Sequence, residues 1–185
     1  MRRLGITNCT VVPPACDECC GEAQAPEDVV AILSRRKAES VALAAAPGDI
    51  VIAADTIVWH DGMALGKPRD EEDAFAMLSR LAGQWHTVYT GVTVLRDGEA
   101  ITEEEFTSVL MRAMTEAEIR AYIATGEPMD KAGAYGVQAR GALLCQRMDG
   151  DFYNVMGLPL FRLGHMLRRL GVDLLSVSPE SGAAL

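Results

Sequence analysis

The sequence predicts an α/β domain, and three observations carry that prediction. Residues 49–59 are apolar on both alternations of a strand, the pattern of a strand covered on both faces. Helical patterns flank that strand, at 26–46 and at 70–82. Two long strand patterns, 85–95 and 100–111, follow and are joined through Asp97-Gly98, a strong hairpin signal. A chain of 185 residues holds one well-buried core, so residues 1–176 are expected to form a single domain and 177–185 a loose tail.

Each element has a local reason. The first helix opens with Pro26-Glu27-Asp28, a start matched to the helix dipole, and closes before Pro47-Gly48. Its apolar stripe, Val30, Leu33, Val41 and Ala44, is interrupted by Lys37. That lysine either snorkels past an edge or is recruited by an acid. The turn at Asp61-Gly62 and the loop Gly66-Lys67-Pro68 lead into the second helix, acidic at its start and stopped by Gly83. Thr115-Glu116-Ala117-Glu118 reads as a capping box for a short helix ended by Gly126 and Pro128. Residues 130–141, rich in glycine and alanine, read as a loop held close to something. Strand, turn and strand are expected around Asp149-Gly150, and a last helix from Pro159 to Leu170.

Asp55 stands inside the apolar strand, and Lys67 lies just beyond it. Asp is depleted from strands, and a carboxylate withdrawn from water without a partner costs several kcal/mol. Asp55 therefore either ends one strand at a turn, or faces a cation. The candidate cations are a lysine and a divalent metal, and the two together describe a site that handles phosphate.

Composition narrows the classes. A formal net charge of −9 repels a nucleic-acid backbone, and no basic patch offsets it, whereas a small phosphorylated substrate needs only a few placed lysines. The longest apolar runs are too short to span a membrane, and 4–14 is broken by glycine, asparagine and proline, so a cytoplasmic protein is expected. Cys9, Cys16, Cys19, Cys20 and Cys145 are an odd, irregular set that fits reduced thiols. Cys16, Cys19 and Cys20 supply half of a zinc-site spacing without a second half. His60, His86 and His165 are scattered and read as packing or surface residues.

Four motifs stand in order along the chain: Ala53-Ala54-Asp55-Thr56, Gly66-Lys67-Pro68, the run from Asp130-Lys131-Ala132-Gly133 through Tyr135-Gly136-Val137-Gln138, and Gly157-Leu158-Pro159-Leu160. From about Leu4 to Leu175 the chain resembles the Maf family. The resemblance implies a fold related to the inosine triphosphatases, a long mixed twisted sheet flanked by helices with a cleft between two lobes. It implies a metal-dependent nucleoside triphosphate pyrophosphatase that releases a monophosphate and pyrophosphate. Thr56 after Asp55, with Gln138 in the loop, is similar to the branch acting on dTTP and UTP. A hydroxyl and a carboxamide suit the carbonyl and imide edge of uracil or thymine, although each also serves as an ordinary strand or loop residue.

The roles implied are these. Asp55 accepts the proton of the attacking water, and a divalent cation, Mg or Mn, acidifies that water. Lys37 and Lys67 neutralise phosphate charge, Lys131 contributes from the loop to substrate binding, and Asp55 with Glu18 holds the metal. The expected partner is a nucleoside triphosphate, with no nucleic acid polymer and no membrane; a homodimer is an open alternative to a monomer. Family members begin with a strand and a Ser-x-Ser-Pro-Arg-Arg loop. Arg2-Arg3 do not match that motif, so the amino terminus is expected to be truncated relative to the family. A nucleotide-binding regulator with little turnover is the alternative that such a truncation permits.

Overall fold

The computed structural model describes residues 9–16 and 25–176. Helix α1 (Pro26–Ala42) carries Pro26 in its first turn with Glu27 and Asp28, where acidic charge meets the helix dipole. It stops four residues short of the expected Ala46, because Ala44 and Ala45 bond back only three residues, to Val41 and Ala42. The Asp49 carboxylate then caps the Ala46 N–H, turning the chain into β1 (Ile50–His60). A tight turn at Asp61-Gly62 gives β2 (Met63–Leu65). The Asp70 side chain accepts from Asp73 N at 2.8 Å to open α2 (Glu71–Leu81). The hairpin strands are β3 (Trp85–Arg96) and β4 (Glu99–Met111).

The capping box forms as expected. Thr115 Oγ1 accepts from Glu118 N and Glu118 Oε2 accepts from Thr115 N at 2.8 Å, opening α3 (Glu116–Ile123). Three short 3-10 turns fill 127–143, and β5 (Cys145–Asp149) adds to β4. The strand expected after Asp149-Gly150 is instead a short helix, α4 (Phe152–Val155). Asp151 caps Tyr153 N, and Thr107 Oγ1 both accepts from Asp151 N and donates to Asp151 O, which curls the chain before a second strand can pair. Helix α5 (Leu160–Arg169) ends the fold, with Arg168 and Arg169 at its carboxyl end.

The α/β fold is thus built on a five-stranded sheet in the order β2-β1-β3-β4-β5, antiparallel at every pairing among the described residues. The central strand is β3, buried along most of its length. Strand β1 was expected to hold that place. It is only half-buried, because β2 covers its outer edge from Val58 to His60 and no other described strand covers the rest.

Strand alternation assigns the two faces. Helix α1 crosses one of them so closely that a Cβ on Gly91 would lie 2.2 Å from Val30 O. On the same face Ser34 Oγ meets Thr93 Oγ1 at 3.1 Å. The other face carries two hydrophobic clusters. One gathers Val58, Val88 and Val109 under α2 and α3. The other packs Val92, Val94 and Ile101 against Leu163, Met166 and Leu167 of α5. Between the clusters runs a polar seam of Thr90, Thr107 and Asn154, all fully buried.

Candidate active site

Asp55 sits in mid-strand opposite Gly91, so both face α1. The helix touches Gly91 at Val30, and Lys37 follows seven residues later, two turns on and along the same stripe. Its ammonium reaches Asp55 Oδ1 at 2.5 Å. The two side chains are 18% and 12% exposed, so Lys37 is recruited rather than snorkelling. Few exposed ion pairs fix geometry, whereas one this enclosed leaves a costly lone charge if either partner is lost.

Thr56, the next residue, points to the opposite face. Its Oγ1 lies 2.9 Å from Thr90 Oγ1, and Thr90 donates to Asn154 O at 3.0 Å. Asn154 Nδ2 in turn donates to Val88 O and to Thr107 Oγ1, which ties the turn at 154–157 to the sheet. Gly157 closes that turn at φ +95°, where a Cβ would approach Thr56 Oγ1 to 3.3 Å. Gln138 comes to the same turn from the glycine-rich loop, its Nε2 donating to Met156 Sδ at 3.3 Å. Thr56 and Gln138, far apart in sequence, thus converge on one segment.

The remaining lysines gather elsewhere. Lys131 Nζ donates to Asp130 Oδ1 at 2.6 Å and to Glu127 O at 3.1 Å. Asp130 is held below the usual carboxylate range, first by the Lys131 hydrogen bond and charge and, last and least, by the charge of Lys67. Lys67 is exposed and, among the described residues, has no hydrogen-bond or ion-pair partner. Strand β2 runs back along β1, so its loop leaves Leu65 heading toward Thr56, and Gly66 O accepts from Gly133 N to join it to the glycine-rich loop. Glu18, Cys19 and Cys20 lie outside the described residues, as does the expected tail. Cys9, Cys16 and Cys145 are free thiols, and burial pushes Cys145 up to about 11.

The open edge of β1 borders a pocket of about 590 Å³, lined by Lys37, the inner strand residues Ile50 to Ala54, Gly157 and Leu158, and closed by residues from Cys9 to Pro14. Asp55 and Thr56 continue the strand from its wall. A molecule that touches both must therefore straddle the strand edge. Sequence reasoning missed Ser34, Thr90, Asn154 and Gly91. Of these only Gly91 carried a signal, since an isolated glycine in a strand pattern marks a close backbone approach.

Fold and site together define an α/β protein with an enclosed lysine–aspartate pair on one side of a strand edge and a hydroxyl–amide pair on the other. The family model described as Maf-like protein matches residues 1–170, and the chain belongs to that family. A protein from Caldicellulosiruptor bescii named dTTP/UTP pyrophosphatase is 44% identical over 181 residues, covering 95% of this chain and 90% of its own. Proteins of the same name from Dictyoglomus turgidum and Salinibacter ruber are 43% and 48% identical, covering 94% and 90% of this chain and 90% and 82% of theirs.

Proposed function

We propose that this chain hydrolyses nucleoside triphosphates, dTTP and UTP foremost, to the monophosphate and pyrophosphate. The observation that carries the reading is the Lys37–Asp55 pair, an enclosed carboxylate beside an ammonium at the rim of a pocket. Water attacks a phosphorus of the α–β anhydride, its oxygen forms the new P–O bond, and the bridging P–O bond breaks. Asp55 takes the proton released by that water. Lys37 and the exposed ammonium of Lys67 neutralise charge that spreads over the phosphate oxygens. Lys131 adds positive charge at the glycine-rich loop. Thr56 and Gln138 meet the base on the far side of the strand edge, where a wrong base leaves a polar group unpaired.

The site fits a divalent cation that arrives with its nucleotide. Lys37 occupies Asp55 Oδ1, and no hydrogen bond from a described residue reaches Oδ2. No described cluster of three His, Cys, Asp or Glu holds a metal alone. Mg²⁺ commonly binds through one or two carboxylates plus phosphates and water, which matches Asp55 with Glu18 as the second ligand. When bound, such an ion acidifies the attacking water and neutralises phosphate charge. A free nucleotide as substrate agrees with the net charge of −9 and with a cytoplasmic setting.

The test is product analysis with dTTP and UTP in Mg²⁺ or Mn²⁺. Monophosphate and pyrophosphate in equal amounts, with loss of turnover in EDTA, is the expected result. Asp55→Asn should slow the reaction about 100- to 10,000-fold with the far-UV dichroism unchanged. Orthophosphate as the only product, or full turnover in Asp55→Asn, sinks the proposal.

A further inference from the structure

Glu127 does not line the pocket described above, yet its carboxylate is the hub of the loop that carries Gln138. Its Oε1 accepts from Gly141 N at 2.9 Å and from Tyr122 OH at 3.0 Å, and its Oε2 accepts from Arg140 N at 3.2 Å. The Tyr122 oxygen also accepts from Gly136 N at 3.3 Å. One Tyr122–Glu127 pair therefore pins both ends of 136–141. The ends also meet directly, since a Cβ on Gly141 would lie 2.1 Å from Gly136 O. At the tip of this closed loop Ala139 holds φ +48°, a left-handed conformation that a side chain adopts only when its surroundings enforce it. Gln138 immediately precedes it and reaches out to Met156.

We infer that Glu127 is a positioning residue that fixes the Gln138 carboxamide and thereby sets discrimination between uracil and cytosine nucleotides. The inference rests on the reading that Gln138 meets the base. An amide offers one acceptor and two donors. Free to turn over, it pairs with the N3–H and O4 of uracil or, reversed, with the N3 and N4 amine of cytosine. Held in one orientation, it accepts only the first. The carboxylate is required because several donors converge on it. In Glu127→Gln an amide N–H replaces one acceptor and confronts a donor, while size and shape are kept.

The experiment measures kcat/KM for UTP and CTP in the intact chain, Glu127→Gln, Tyr122→Phe, Gln138→Ala and the double variant Glu127→Gln/Gln138→Ala, well below each melting temperature. Glu127→Gln is expected to lower kcat/KM for UTP by about 10- to 100-fold, as loss of sub-ångström placement does, and to compress the UTP-to-CTP ratio. Tyr122→Phe should move the ratio the same way by less. The double variant should be no less selective than Gln138→Ala, because both changes remove one function. A collapsed ratio in Gln138→Ala with an unchanged ratio in Glu127→Gln and Tyr122→Phe overturns the positioning role and leaves the reading of Gln138 standing. An unchanged ratio in Gln138→Ala overturns both. Should Glu127→Gln fail to fold, the ratio in Tyr122→Phe decides alone.

Discussion

Adding a single methyl at Gly91 should disable the site by lifting α1, the helix that carries Lys37, off the sheet. The new Cβ would lie 2.2 Å from Val30 O, 2.4 Å from Val30 C and 2.9 Å from Ala31 N. All three are backbone atoms, so no side-chain rotation relieves the contact. Opening the shortest gap to the 3.0 Å that real Cβ atoms respect requires a shift of about 0.8 Å between α1 and β3. Overpacking of this kind costs about 1–3 kcal/mol, which for a chain of this size lowers Tm by roughly 2–12 °C. The same shift displaces Lys37 from Asp55, a pair that now meets at 2.5 Å. Misplacement near 1 Å costs about 100-fold in rate. Calorimetry and pyrophosphate release on Gly91→Ala measure the two effects together. A variant with unchanged Tm and unchanged kcat/KM refutes the claim that α1 is seated on β3 and carries Lys37 into place.

Two further outcomes follow from other contacts. Thr56→Val keeps the strand-forming shape but deletes the hydroxyl that meets Thr90, so kcat/KM for UTP should fall about tenfold while the melting temperature changes little; an unaltered kcat/KM argues against base contact by Thr56. His86 is depressed to about 4 by burial and, secondarily, by the charge of nearby His60, and its Nε2 meets Tyr135 OH at 2.6 Å. The unfolded chain binds this proton near 6.5 and the folded chain only near 4, so stability falls as pH drops from 6.5 toward 4, by about 3 kcal/mol at most. Chemical denaturation at pH 7 and pH 4.5 measures that slope, and His86→Gln should flatten it.

Much of the fold was legible because local chemistry dictated it. The Thr115–Glu118 capping box, the Asp97-Gly98 hairpin and the proline start of α1 each name their own geometry. The pairing of Lys37 with Asp55 was half visible, since an acid in an apolar strand demands a cation, but only the crossing of α1 over Gly91 selects which lysine answers. The seam of Thr90, Thr107 and Asn154 was not legible. Threonine in a strand is ordinary, and its hydroxyls acquire partners only through contacts about 50 to 65 residues apart in the chain. For the same reason the helix at Phe152 was missed: it depends on Thr107, which the local sequence does not contain. The helix face was misjudged as well, because Ser34 and Ala38 are buried against the sheet where an apolar count favours Val41 and Ala44.

Asp55 and Thr56 are joined by one peptide bond, yet the pleat sends them to opposite faces of the sheet, where among the described residues one meets Lys37 and the other Thr90. Under the proposed roles, hydrolytic chemistry and base recognition are thereby insulated from each other although their codons adjoin. Exchanging the residue after the aspartate should retune which nucleotide is accepted without retuning how fast the anhydride is cleaved, and the two kinds of substitution should combine additively.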